Sequence, residues 1–275
     1  MKSFWNRFLT NPRVALGLAW LVLVAVVAVF APLFAPGDPF AIVDKPFIPP
    51  FAAYGLGTDS LGRNVYAGIV HGARTTMLIA VIATIAAVAF GTMLGAIAGF
   101  YGGLIDDVLM RLTEFFQTIP SFLFAIVLVA ILAPSASSVV IAIATVSWPP
   151  IARVVRGEVL SVKGREFVLA AIVAGQRDLA ILLQQVLPNT LSPLIVTGSL
   201  LVASAILVES ALSFLGLGAP NLMSWGFMIG SGRQFLRDAW WLVTIPGLII
   251  LLTVLSINLV GEGLNDALNP RLADL

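Results

Sequence analysis

Glu209 is the one acidic side chain set deep in an otherwise apolar stretch of this sequence. An isolated carboxylate in hydrocarbon is costly, so such a residue either lines a substrate or proton route or accepts hydrogen bonds where a helix meets a loop. The sequence leaves both readings open. Little else can do chemistry. His71 is the only histidine and there are no cysteines, which excludes disulfides, thiol catalysis, cysteine metal sites and a histidine metal cluster. Gly230-Ser-Gly232 does not fit G-x-S-x-G, and His71 is placed outside or at the outer surface, away from any intramembrane serine. No G-x-x-x-x-G-K-[ST] is present to cradle phosphates. Gly91, Gly95, Gly99 and Gly103 recur every four residues without a lysine among them. That spacing lines one helix face with small residues and lets a second helix approach closely, a lipid- or substrate-facing groove being the alternative. No catalytic, cofactor-binding or metal-ligating residue is assigned.

The elements that carry these residues are membrane spans. Hydrophobic residues are 59% of the 275, charged residues 11%, and the mean hydropathy is +1.03; a soluble domain is nearer a quarter charged. Val14–Phe34 is charge-free, and as a helix it extends about 31 Å, the hydrocarbon thickness. It is longer than a secretory signal core and reads as an uncleaved anchor. Further charge-free runs, cut at turn-like Ala133–Ser138 and at Pro188, Asn189 and Pro193, predict six helices near 14–35, 75–101, 112–133, 138–155, 191–212 and 240–261. Period-2 alternation is missing, which excludes a barrel. The fold class is all-α membrane protein. Arg111 and Glu114 read as an interfacial pair at the inner start of the third span.

Six spans put both termini on one side. With the termini inside, Lys2, Arg7, Arg13, Arg111, Arg153, Arg156, Lys163, Arg165, Arg177 and Arg271 are inner. Lys45, Arg63, Arg74, Arg233 and Arg237 are outer. The excess of inner basic residues follows the positive-inside rule. The expected organisation is a cytoplasmic N-terminus (1–13), a first span (14–35), an extracytoplasmic loop (36–74) and a core of five helices (75–264) with a cytoplasmic loop at 156–190, then a cytoplasmic tail (265–275). No segment outside the spans is long enough for its own core. The net charge of +1 points to no nucleic-acid partner.

Within the 156–190 loop, residues 166–189 form a helical elbow. Glu166 suits a helix N-terminus, and Ala170, Ala171 and Ala174 cluster with bulk from Phe167, Val168, Ile172 and Val173. Gly175 suits the left-handed residue that ends a helix. A second phrase, Arg177–Leu187, runs to Pro188. Two short helices are therefore expected, either lying on the membrane surface or offering a knob with a small-residue face to another protein's groove.

The spacing E-F-V-x-A-A-x-x-x-G, then I-x-x-x-x-x-L-P-N, resembles the signature loop of permease subunits in binding-protein-dependent ABC importers. It is carried here by Glu166, Ala170, Ala171, Gly175, Ile181, Leu187, Pro188 and Asn189. Phe8–Pro12, Ala31–Pro39, Gly57–Arg63, Leu212–Gly218 and Asn258–Pro270 are similar to the second permease subunit of dipeptide and oligopeptide importers. Ile172 and Gln185 stand where that family usually has arginine and histidine, 219–224 is short, and Asn265 replaces a frequent arginine. The resemblance implies a type I (MetI-like) importer-permease architecture in the bacterial inner membrane. It implies a homologous second permease, two cytoplasmic ATPases and an extracytoplasmic solute-binding protein as partners. ATP and Mg belong to the ATPases, and no cofactor to this chain. The first elbow helix would be the coupling helix, with Glu166, Phe167, Ala170, Ala171, Gly175 and Pro188 as the residues meeting the ATPase. Di- or oligopeptides are the implied substrates, with nickel complexes or glutathione as alternatives. A stand-alone carrier or channel is the rival class.

Overall fold

The computed structural model describes residues 11–268; Lys2, Arg7, Arg271, Phe8-Leu-Thr and the end of the tail lie outside them. Every long element among the described residues is a helix, and pairing between backbone strands is confined to isolated bridges such as Ile42 with Arg63. Helix α1 (Pro12–Val29) starts at a cap in which Asn11 accepts from the Arg13 amide, with Pro12 in the first turn. A short α2 (Ala31–Phe34) follows after a kink at Phe30. Next come α3 (Val65–Tyr101), α4 (Gly103–Thr118), α5 (Ser121–Leu132) and α6 (Ala136–Lys163). Helix α7 (Glu166–Val173) precedes α8 (Asp178–Phe214), α9 (Trp225–Gly232) and α10 (Trp241–Leu268).

Five of these are long and apolar enough to cross a membrane, and the pair α4–α5 makes a sixth crossing if its two parts count together. The third predicted span is therefore corrected. Instead of one helix over 112–133, two helices meet at 86°. Pro120 has no amide to continue the ladder, and the residue before a proline is driven out of the helical region. Ile119 accordingly is extended (φ −86°, ψ 128°). Helix α5 alone has 12 residues, about 18 Å, too short to cross.

Charge-free runs also misplaced helix ends. The second span starts at Val65 rather than 75, because Asn64 caps it by accepting from the Tyr66 amide. At 37 residues α3 is about 55 Å long and outruns the hydrocarbon. The fourth span continues past 155 to Lys163, since Arg153, Arg156 and Lys163 find partners there. The second short elbow helix is absent as a separate element. Asp178 begins α8, which passes Pro188 through a π-helical stretch, Leu182–Val186. The wider turn lets the Leu187 amide reach the Leu182 carbonyl, and Asn189 Nδ2 donates to the Gln185 carbonyl at 2.6 Å. The proline is thus absorbed rather than obeyed.

The main seam joins α3 to α6, which run in the same direction. A Cβ on Gly91 would stand 2.7 Å from the Trp148 carbonyl, and one on Gly99 2.9 Å from that of Arg156. At Gly95 it would overlap the Ala152 backbone. Glycines four apart thus face carbonyls four apart, so dispersion between backbones replaces side-chain packing. Gly103 does not belong to this row. It has φ +56° and nothing within 4 Å of a Cβ, and with Gly102 (φ +69°) it makes the turn into α4.

At one end of the bundle α3 and α6 finish and α8 begins; Val14 of α1 meets Gly263 of α10 there. At the other end the 36–64 segment folds down as an ordered cap. Trp241 Nε1 donates to the Thr58 carbonyl at 3.3 Å, Phe40 meets Phe227 edge to face, and Phe47 packs tilted against Phe235.

Candidate functional site

Helix α7 hangs from the end of α6 by two residues, Gly164 and Arg165. Its first turn is closed by the Val168 and Leu169 amides on the Arg165 carbonyl, with Glu166 beside the positive end of the helix dipole. Its last turn is closed by a Schellman pair: the Gln176 amide donates to the Ala171 carbonyl and the Gly175 amide to that of Ile172. Gly175 takes φ +75°, the left-handed region in which a side chain is strained.

Two residues anchor α7. Val168 is fully buried and Ala171 nearly so, packed with Val159, Val162, Ile181 and Leu182 at the meeting of α3, α6 and α8. The other face is bare: Phe167, Leu169 and Ile172 are exposed, Val173 is 88% exposed, and Glu166, Ala170 and Gly175 are exposed as well. Of the six residues assigned to coupling, five are therefore at the surface, and Ala171 faces the bundle. Pro188 is exposed but sits on α8, beyond the π stretch, not on α7.

The helix supporting α7 is fastened to its neighbours by basic side chains. Arg156 donates from Nε and Nη2 to the two Asp106 oxygens of α4 at 2.5 and 2.6 Å, and Arg153 Nη1 donates to Gln117 Oε1 at 2.6 Å. Lys163 Nζ donates to the Phe100 carbonyl at 2.5 Å and lies 5.3 Å from the centre of that ring. Sequence reasoning missed these bonds; it paired Arg111 with Glu114, both exposed, and among the described residues the ion pair within 4 Å is Arg156–Asp106. The missed signal was Asp106 itself, an acid just after the Gly102–Gly103 turn, facing basic residues in a later span.

At the opposite end Glu209 is 1% exposed. Ser213 Oγ donates to its Oε1 at 2.8 Å and Ser210 Oγ approaches Oε2 at 3.4 Å, with the Thr76 and Ser224 hydroxyls also turned to the carboxyl. Thr76 Oγ1 in turn accepts from the Trp225 amide at 3.3 Å, and Trp225 Nε1 donates to the Ile69 carbonyl at 3.0 Å. Glu209 thus sits where α8, α3 and the start of α9 meet, surrounded by hydroxyls rather than by a basic partner among the described residues. His71 is half-buried, its Nε2 2.9 Å from the Ala35 carbonyl. Among the described residues no group of acidic or histidine side chains is arranged to hold a metal.

A bundle with five membrane-length helices, or six crossings with the bent pair, and an apolar helix face exposed beyond one end defines a polytopic membrane protein. The chain belongs to the family of binding-protein-dependent transport system inner membrane components, whose pattern matches residues 91–274. Residues 1–53 match the N-terminal transmembrane domain of oligopeptide transport permease C. The chain is 42% identical to the di/tripeptide transport system permease protein DppC of Pseudomonas aeruginosa, over 99% of this chain and 92% of that one. It is 40% identical to the dipeptide transport system permease protein DppC of Haemophilus influenzae over 99% and 95%. Against the oligopeptide transport system permease protein OppC of Bacillus subtilis it is 36% identical over 98% and 90%.

Proposed function

We propose that this chain is one of two permease subunits of an ATP-driven importer for di- and oligopeptides, forming half of the route and receiving its energy through α7. The observation that carries this reading is the exposed face of α7, built on a helix whose own two core residues are buried. The relatives named as dipeptide and oligopeptide transport permeases supply the substrate class. A second permease, two cytoplasmic ATPases binding ATP and Mg, and an extracytoplasmic solute-binding protein complete the assembly.

In this reading α7 and both termini are cytoplasmic. Sorted by the bundle's two ends, Arg13, Arg111, Arg153, Arg156, Lys163, Arg165 and Arg177 lie with α7, and Lys45, Arg63, Arg74, Arg233 and Arg237 lie opposite. The first group is the larger, which supports a cytoplasmic α7. Motion arriving at α7 passes directly into the last turns of α6 and, through Arg156 and Arg153, into α4. The bend at Ile119–Pro120 then separates what moves with α4 from what stays with α5. The free energy that favours one state over the other resides across the ATPase pair, and this chain transmits it.

The test is reconstitution of the four-component membrane complex in liposomes. The importer reading predicts peptide accumulation that requires both ATP and the loaded binding protein. Accumulation by this chain alone, indifferent to ATP, makes it a carrier or channel instead.

A further inference from the structure

A cavity of about 700 Å³ opens at the end of the bundle opposite α7, between the 36–64 cap, α3, the start of α6 and the segment before α9. Its size falls within the range of sites for small organic ligands. Its deeper wall is apolar, with Leu78 and Ile82 of α3 half-exposed into open space. Its lip carries Asp38 from the cap and Arg74 from α3.

These two charges have opposite sign, and among the described residues neither has an ion-pair partner within 4 Å. The acidic lip is fixed in place. Asp38 Oδ1 accepts from the Phe40 amide at 2.9 Å, its carbonyl accepts from Ala41, and the chain just before it is tied to α3 by His71 on the Ala35 carbonyl. Asp38 Oδ2 accepts from no protein group among the described residues, and both Asp38 and Arg74 are exposed at the cavity mouth. Arg74 presents a planar fork suited to two parallel bonds with a carboxylate. An unpaired guanidinium and an unpaired carboxylate on an apolar-walled cavity are complementary to a molecule that brings one charge of each sign and an apolar body.

Resting on the importer reading, we infer that this cavity is a transfer subsite for the zwitterionic peptide leaving the binding protein, with Arg74 taking the terminal carboxylate and Asp38 the terminal ammonium. The apolar wall holds side chains of varied shape, because dispersion against leucine and isoleucine discriminates weakly among them.

The experiment uses the complete assembly trapped with ATP and vanadate and supplied with a dipeptide whose C-terminal residue is a diazirine-bearing leucine. After illumination, label is expected within residues 71–82 and 221–223 of this chain and is displaced by excess unlabelled dipeptide. Arg74→Gln lowers that label by about tenfold or more, the loss of a hydrogen-bonded charge pair, and Arg74→Lys restores most of it. Asp38→Asn lowers it for the free dipeptide and leaves the N-acetylated analogue unchanged. Vanadate trapping of each variant shows that it has folded and assembled. Trapping with label only elsewhere, label that excess dipeptide does not displace (a lipid or the second permease filling the space), or label indifferent to Arg74→Gln overturns the subsite alone. Failure of the wild-type assembly to trap at all overturns the importer reading and this inference with it.

Discussion

Arg156 and Asp106, fifty residues apart in the chain, are joined by two parallel hydrogen bonds of 2.5 and 2.6 Å that tie the α7-proximal part of α6 to α4. Their side chains are 35% and 13% exposed, so the pair is only partly wet. Replacing one member leaves the other short of a partner. Asp106→Asn and Arg156→Gln should each lower thermal stability in detergent, and a double-mutant cycle should return a coupling of about 1–2 kcal/mol. Additive losses would show that the bond contributes nothing beyond its separate groups.

The glycine seam makes a sharper contrast. Gly95→Ala drives a methyl group into the Ala152 backbone and should cost about 1–3 kcal/mol, seen as a lower melting temperature and poorer assembly. Gly103→Ala meets open space, and its cost should be limited to left-handed strain of about 1 kcal/mol. Equal losses at both positions would contradict the packing described for α3 and α6.

Glu209 separates charge from hydrogen bonding. Glu209→Gln keeps an acceptor for Ser213 and should transport at the wild-type rate across pH. Glu209→Leu strands the hydroxyls of Ser210 and Ser213 and should lose about 1–3 kcal/mol of stability. Uptake by Glu209→Gln that falls or becomes pH-dependent would assign the charge to the pathway instead.

On α7 the exposed and buried faces should respond differently. Ala170→Arg and Gly175→Arg should leave expression intact and abolish uptake, measured with radiolabelled peptide. Val168→Asp, which buries a carboxylate among Val159, Val162 and Ile181, should instead reduce the amount of folded protein. Normal uptake in both arginine variants would remove α7 from the coupling route.

Much of this was legible in the residues. Long charge-free runs near 14–35 and 240–261 mark spans because lipid tolerates little else, and Gly175 announced the end of α7 because few other residues take its φ. Helix ends were less legible, since Asn64 caps α3 eleven residues before its charge-free run begins. Two prolines of similar local appearance behaved oppositely. Pro120 ends α4 with a right-angle bend, while Pro188 is carried through a π turn with help from the Asn189 side chain. That difference depends on packing around each site, which local sequence does not contain. Arg156 and Asp106 were equally invisible, because their meeting depends on how α4 folds back under α6.

The central claim is that a cytoplasmic ATPase grips α7, and the absence of native cysteines makes a single-thiol measurement clean. Val173 is 88% exposed in the isolated chain. The Val173→Cys variant should form a cross-link to an ATPase subunit in the reconstituted assembly, with a yield that changes when vanadate traps the nucleotide. An introduced thiol that reaches only lipid, or that reacts only with reagents added from the side of the binding protein, would contradict the account.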